Sequence, residues 1–98
     1  MKESIRQRLE KLSDRFEEVG RLLATADIAG GSAQFRDLSV EYARLEPLAE
    51  RLRHYQELER DLGAAREMLA DPDAAMRSLG AEEVERLQSE LAVTESQL

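Results

Sequence analysis

The chain has 98 residues, of which 42% are hydrophobic but only 4% aromatic, with five glycines, two prolines and a net charge of −7. A chain of this length makes one domain, burying roughly 60 to 65% of its unfolded surface, and a composition rich in Leu, Ala, Glu and Arg favours long amphipathic helices over sheet. The lack of cysteine excludes disulfides and cysteine-based metal sites or nucleophiles; no stretch approaches the ~20 apolar residues that span a bilayer, and MKESIRQRLE lacks the apolar run of a secretory signal, so the chain reads as cytoplasmic with no membrane partner.

The first predicted helix covers about residues 4–24. Ile5, Leu9, Leu12, Phe16, Val19 and Leu23 recur at alternating +4 and +3 steps, a heptad pattern that puts one apolar seam along the helix. Ser4 with Gln7 three residues on has the form of a capping box. Arg8, Lys11 and Arg15 form a basic cluster beside the seam. Their structural role would be to pair with acids on a packed neighbour; their functional role would be contact with RNA or a protein partner. The helix breaks at TADIAGGSA (Thr25 to Ala33), where two adjacent glycines interrupt the pattern and Ser32 is placed to cap the next helix.

The second predicted helix covers about 33–70. Its stripe is Phe35, Leu38, Tyr42, Leu45, Leu48, Leu52, Tyr55, Leu58, Leu62, Ala65 and Leu69. Paired +3 steps at 42–45–48 and 52–55–58 rotate the stripe, so one straight partner cannot cover its whole length. Pro47 removes an amide from the interior, and a bend or brief break is expected there. Leu12, Phe16, Val19, Phe35, Leu38 and Tyr42 should form one cluster between these two helices.

Asp71-Pro72-Asp73 ends the second helix, because a residue before proline avoids the helical region. A turn through Leu79 and Gly80 is expected next, then a third helix over about 81–98 with Val84, Leu87, Leu91, Thr94 and Leu98 on one face. TESQL carries no stop signal, so the segment reads as the front of a longer protein whose downstream domains are absent. The predicted fold is all-α: an antiparallel bundle or hairpin of three amphipathic helices, the middle one bent or broken near Pro47.

Three blocks carry a family resemblance: SIRQRLEKLSDRFEEVGRLL (4–23), FRDLSVEYARLEPL (35–48) and MLADPDAAMRSLGAEEVERL (68–87). In this order and spacing the chain resembles, over essentially its whole length, the N-terminal helical domain of bacterial peptide chain release factors. It is more similar to the type that reads UAA and UAG than to its sister type. The resemblance implies a factor that binds the ribosomal A site at a stop codon and prompts hydrolysis of the peptidyl-tRNA ester. In that family the codon-reading Pro-x-Thr loop and the hydrolytic Gly-Gly-Gln lie beyond this segment. The resemblance therefore implies no catalytic, codon-reading or metal-binding residue here, no cofactor, and no enzyme activity of the segment alone. It implies a docking arm near the base of the large-subunit stalk, with ribosomal RNA and the GTPase release factor as partners and no DNA.

The remaining candidates read as structure. Gly30-Gly31-Ser32 has Ser in the third place and sits in an interhelical turn. His54 has Glu50 and Glu57 on its helix face, but helical metal sites draw Glu-x-x-His pairs from more than one helix and this is the only histidine. Paired acids such as Glu17-Glu18, Glu82-Glu83 and Glu57/Glu59/Asp61 lie on polar faces with Arg21 and Arg86 at helical spacing, which marks solvated surfaces rather than acid–base sites. Tyr42 and Tyr55 lie on the seam, as core residues with hydroxyls at the edge. Charge is uneven: residues 1–24 carry six basic and five acidic groups, whereas 71–98 carry Arg77 and Arg86 against seven acids. Contact with RNA would therefore have to be local and on the first helix. The competing reading is a stand-alone coiled-coil interaction or scaffold protein, supported by the heptads of residues 5–23.

Overall fold

The computed structural model describes residues 1–25 and 32–98. Within them the fold is all-α: α1 (Glu3–Thr25), α2 (Ala33–Met68) and α3 (Ala74–Ser96). The chain divides into two compact units, Met1–Leu52 and Arg53–Leu98, and α2 contributes to both. The glycine pair at 30–31 lies outside the described residues.

In the first unit, α1 starts two residues earlier than the Ser4 capping box predicts. The Arg6 amide donates to the Lys2 carbonyl at 3.0 Å, so Lys2 opens the helix and Ser4 lies inside its first turn. Ser32 does cap α2: its Oγ accepts from the Phe35 amide at 3.1 Å and its carbonyl from the Arg36 amide at 3.2 Å. Leu9, Phe16 and Val19 of α1 are buried, with Ala49 and Leu52 of α2. The Phe16 and Tyr42 rings lie 4.5 Å apart, tilted by 30°. Of the expected cluster, Phe16 and Val19 are buried and Phe16 meets Tyr42, while Leu12, Phe35, Leu38 and Tyr42 are half-buried. The heptad seam of α1 is thus occupied by its own chain. Ile5, at the start of the seam, stays 44% exposed.

Of the bend or break expected at Pro47, the break is absent: α2 is a continuous helix of 36 residues with Pro47 inside it. An interior proline costs about 3 kcal/mol through the lost amide and ring clash. Here both Pro47 and Ala43, whose carbonyl loses its partner, are exposed, so water can satisfy that oxygen. The buried positions Ala49, Leu52, Tyr55, Leu58, Leu62 and Ala65 follow directly, and their packing holds the helix through the defect.

In the second unit the end of α2 and the whole of α3 form a hairpin. Leu58, Leu62, Ala65 and Leu87 make its core, with Val84 and Leu91 packed against them. α3 begins at Ala74, not near 81, so the turn expected through Leu79 and Gly80 is helix. Two features account for the difference. Asp73 is the N-cap, its Oδ1 accepting from the Ala75 amide at 2.9 Å, which starts the helix immediately after Pro72. Gly80 is a contact point rather than a helix stop: a Cβ there would lie 2.7 Å from Met68 Cβ and 3.0 Å from the Ala65 carbonyl oxygen. Glycine lets the two backbones approach where a side chain would hold them apart. Gly80 meets the last turns of α2, Leu87 meets Leu58 and Leu62, and Thr94 lies beside His54, so α3 runs antiparallel to α2.

Candidate functional site

Arg8, Lys11 and Arg15 stand at +3 and +4 spacing on α1, so one face carries all three. The structure separates them by role. Arg8 and Lys11 are exposed. Arg15 is drawn down onto α2, where its Nε and Nη2 donate to the two carboxylate oxygens of Glu41, each at 2.7 Å. Its Nη1 donates to Glu18 Oε1 at 3.0 Å. This fork-on-carboxylate geometry is the strong, directional form of an ion pair. The hydrogen bonds from Arg15 hold the Glu41 carboxyl below its usual range, partial burial opposing them, and the Arg15 pKa is raised in return. The structural role weighed for this cluster is thus met at Arg15, while Arg8 and Lys11 keep their charge towards solvent.

The joint beneath this surface is compact. Arg15 and Phe16 of α1 meet Glu41 and Tyr42 of α2 in consecutive pairs. Gly20 lies one turn further on, where a Cβ would stand 3.5 Å from Tyr42 Cε2, ordinary contact distance. The ion pair thus sits beside the aromatic pair and fixes the register in which α1 presents Arg8 and Lys11. The sequence marks Arg15 and Glu41 only as charges at helical spacing from a seam; their mutual contact, 26 positions apart, has no local signature.

The other candidates fall elsewhere. His54 is exposed and lines an open groove of about 400 Å³ with Ser89, Glu90, Val93, Thr94 and Gln97. Glu90 in that groove accepts from Arg86 Nη1 at 2.8 Å. Among the described residues no group of three or more His, Cys, Asp or Glu could hold a metal ion. Arg86 takes Glu83 and Glu90 as its partners, where the sequence suggests Glu82. Glu83 is held below the usual carboxylate range by the hydrogen bond from Arg86. No helix of the described residues is long and apolar enough to cross a membrane.

A profile of the PCRF domain matches residues 12–98, and the chain belongs to that family. It fits a release-factor-type translation-termination domain. No solved structure matches it.

Proposed function

We propose that this member of the PCRF family is the N-terminal helical domain of a class I bacterial release factor of the type reading UAA and UAG. Its task is docking: it places the factor on the ribosome, near the base of the large-subunit stalk, and responds to the GTPase release factor. Stop-codon reading and ester hydrolysis belong to residues outside this chain. The observation that carries the reading is the family match from Leu12 to Leu98, which takes in α1 from Leu12 onward and the whole of α2 and α3. The geometry gives it a surface. Arg8 and Lys11 are exposed on a helix anchored by buried Leu9, Phe16 and Val19, on the part of the chain whose charge is net positive. A rigid, locally basic helix face suits a phosphate backbone or an acidic protein surface.

The coiled-coil alternative loses its main support, because Leu9, Phe16 and Val19 of the heptad seam are already buried within the chain. The test is cosedimentation of residues 1–98 with bacterial ribosomes at low salt. Arg8→Glu with Lys11→Glu should reduce the bound fraction and its salt dependence while leaving the melting midpoint unchanged. Arg15→Glu should lower the midpoint, because it sets two carboxylates against each other at the joint. No cosedimentation of the unaltered chain, or equal binding by the Arg8/Lys11 variant, would overturn the proposal or its surface respectively.

A further inference from the structure

The end of the α2–α3 hairpin, residues 69–79, shows water an unusual set of side chains. Seven of these eleven residues are apolar (Leu69, Ala70, Pro72, Ala74, Ala75, Met76 and Leu79), and all seven are exposed. Leu69, Met76 and Leu79 keep 43%, 37% and 45% of their surface in water. A helix connection is normally where polar residues meet solvent. Here the three charged residues are turned onto their own backbone. Asp71 Oδ1 accepts from the Asp73 amide at 2.8 Å, and Asp73 Oδ1 from the Ala75 amide at 2.9 Å. Arg77 Nη1 donates to the carbonyls of Asp71 and Pro72 at 2.7 and 2.9 Å. These bonds, with the close approach at Gly80, build a tip whose shape is set before anything binds. What it presents outward is apolar.

Charge decides what could cover it. From 66 to 86 the chain carries six acids (Glu67, Asp71, Asp73, Glu82, Glu83 and Glu85) against Arg66, Arg77 and Arg86, the last of them paired with Glu83. An apolar tip in an acidic surround repels phosphate, which argues against nucleic acid, and it repels a second copy of the same tip. We infer that the α2–α3 tip is a protein-docking surface for a segment that presents apolar side chains flanked by lysine or arginine, such as one face of a basic amphipathic helix. The apolar residues would supply the contact and the acidic surround its choice of partner. This surface is distinct from the Arg8/Lys11 face and does not depend on the ribosomal reading.

The test is an amide-shift titration of the ¹⁵N-labelled chain with a helical peptide of about 18 residues that sets leucines on one face and lysines on the other. A Leu/Glu peptide of the same pattern and a Ser/Lys peptide of the same charge serve as comparisons. The Leu/Lys peptide should shift amides of 69–79 and bind at least about tenfold more tightly than either comparison, a difference of ~1.4 kcal/mol. Leu69→Ser, just past the end of α2, and Leu79→Ser, in α3, both exposed, should each weaken it severalfold with the spectrum outside 69–79 unchanged. Equal binding by the Ser/Lys or Leu/Glu peptide would overturn the inference. So would shifts centred elsewhere, such as the His54 groove, an RNA oligonucleotide that moves the same amides, or variants that bind like the unaltered chain.

Discussion

Gly80→Ala and Gly63→Ala make the same chemical change in two helices of one unit and should move stability in opposite directions. Alanine is favoured over glycine inside a helix by ~0.8–1.0 kcal/mol. At Gly63 nothing lies within 4 Å of the added Cβ, so that gain is realised in full. At Gly80 the Cβ would stand 2.7 Å from Met68 Cβ, 3.0 Å from the Ala65 oxygen and 3.3 Å from the Met68 carbonyl carbon. Carbon atoms rest at about 3.5–4.0 Å, so the first contact is roughly 1 Å too short. All three obstructing atoms are backbone or fixed to it, so no rotamer change relieves them. α3 must move off α2, which loosens Leu87 against Leu58 and Leu62. Overpacking of this kind costs ~1–3 kcal/mol, and with no flexible atom to yield the upper part of that range applies. The net for Gly80→Ala is a loss of ~1–2 kcal/mol after the helix gain is subtracted. At ~4–8 °C per kcal/mol for a domain of this size, its midpoint should fall by about 5–15 °C, while that of Gly63→Ala rises by about 4–8 °C. Circular dichroism melts of the two variants decide the matter. Adding Met68→Ala should not rescue Gly80→Ala, because alanine keeps the offending Cβ; a Gly80→Ala midpoint that rises with that of Gly63→Ala would show that the helices do not approach closely there.

Three further outcomes follow from the geometry. Phe16→Ala should cost ~3–5 kcal/mol, since the ring is 9% exposed and stacks on Tyr42, and an unchanged urea midpoint would remove this pair from the core. Asp73→Ala should cost ~1 kcal/mol by freeing the Ala75 amide, whereas Asp73→Asn, which can still accept that bond, should cost much less; equal losses in melts of the two would show that the cap is not what holds the start of α3. Glu41, with its folded pKa lowered from 4.5, adds stability that is complete above about pH 4.5 and is lost as the pH falls through the lowered value. Acid titration of stability should therefore be shallower in Glu41→Gln than in the unaltered chain. Identical curves would mean that the pair with Arg15 contributes nothing to the folded state.

What could be read from the sequence, and what could not, divides by range. The seam of α1, the Ser32 cap and the face of α3 made by Val84, Leu87, Leu91 and Thr94 depend on neighbours three or four positions apart, and periodicity contains that information. Two local breakers, Pro47 and Gly80, act differently in their tertiary setting from what the sequence around them suggests. Pro47 predicts a break if the helix stands alone, but the residues after it are buried and carry the helix across. Gly80 predicts a turn if read along the chain, but its meaning lies across it, in the carbonyl of Ala65 and the Cβ of Met68. The basic cluster shows the same division. Spacing places Arg8, Lys11 and Arg15 on one face, and only the packing of α1 on α2 shows that Arg15 is held by Glu41. That contact changes the reading of the surface from three equivalent cations to an anchored arginine beside two exposed charges. The docking face proposed at Arg8 and Lys11 would be small, on a helix held to α2 by the Arg15–Glu41 and Phe16–Tyr42 pairs. Docking through a short rigid face needs less ordering on contact than docking through a flexible basic tail would.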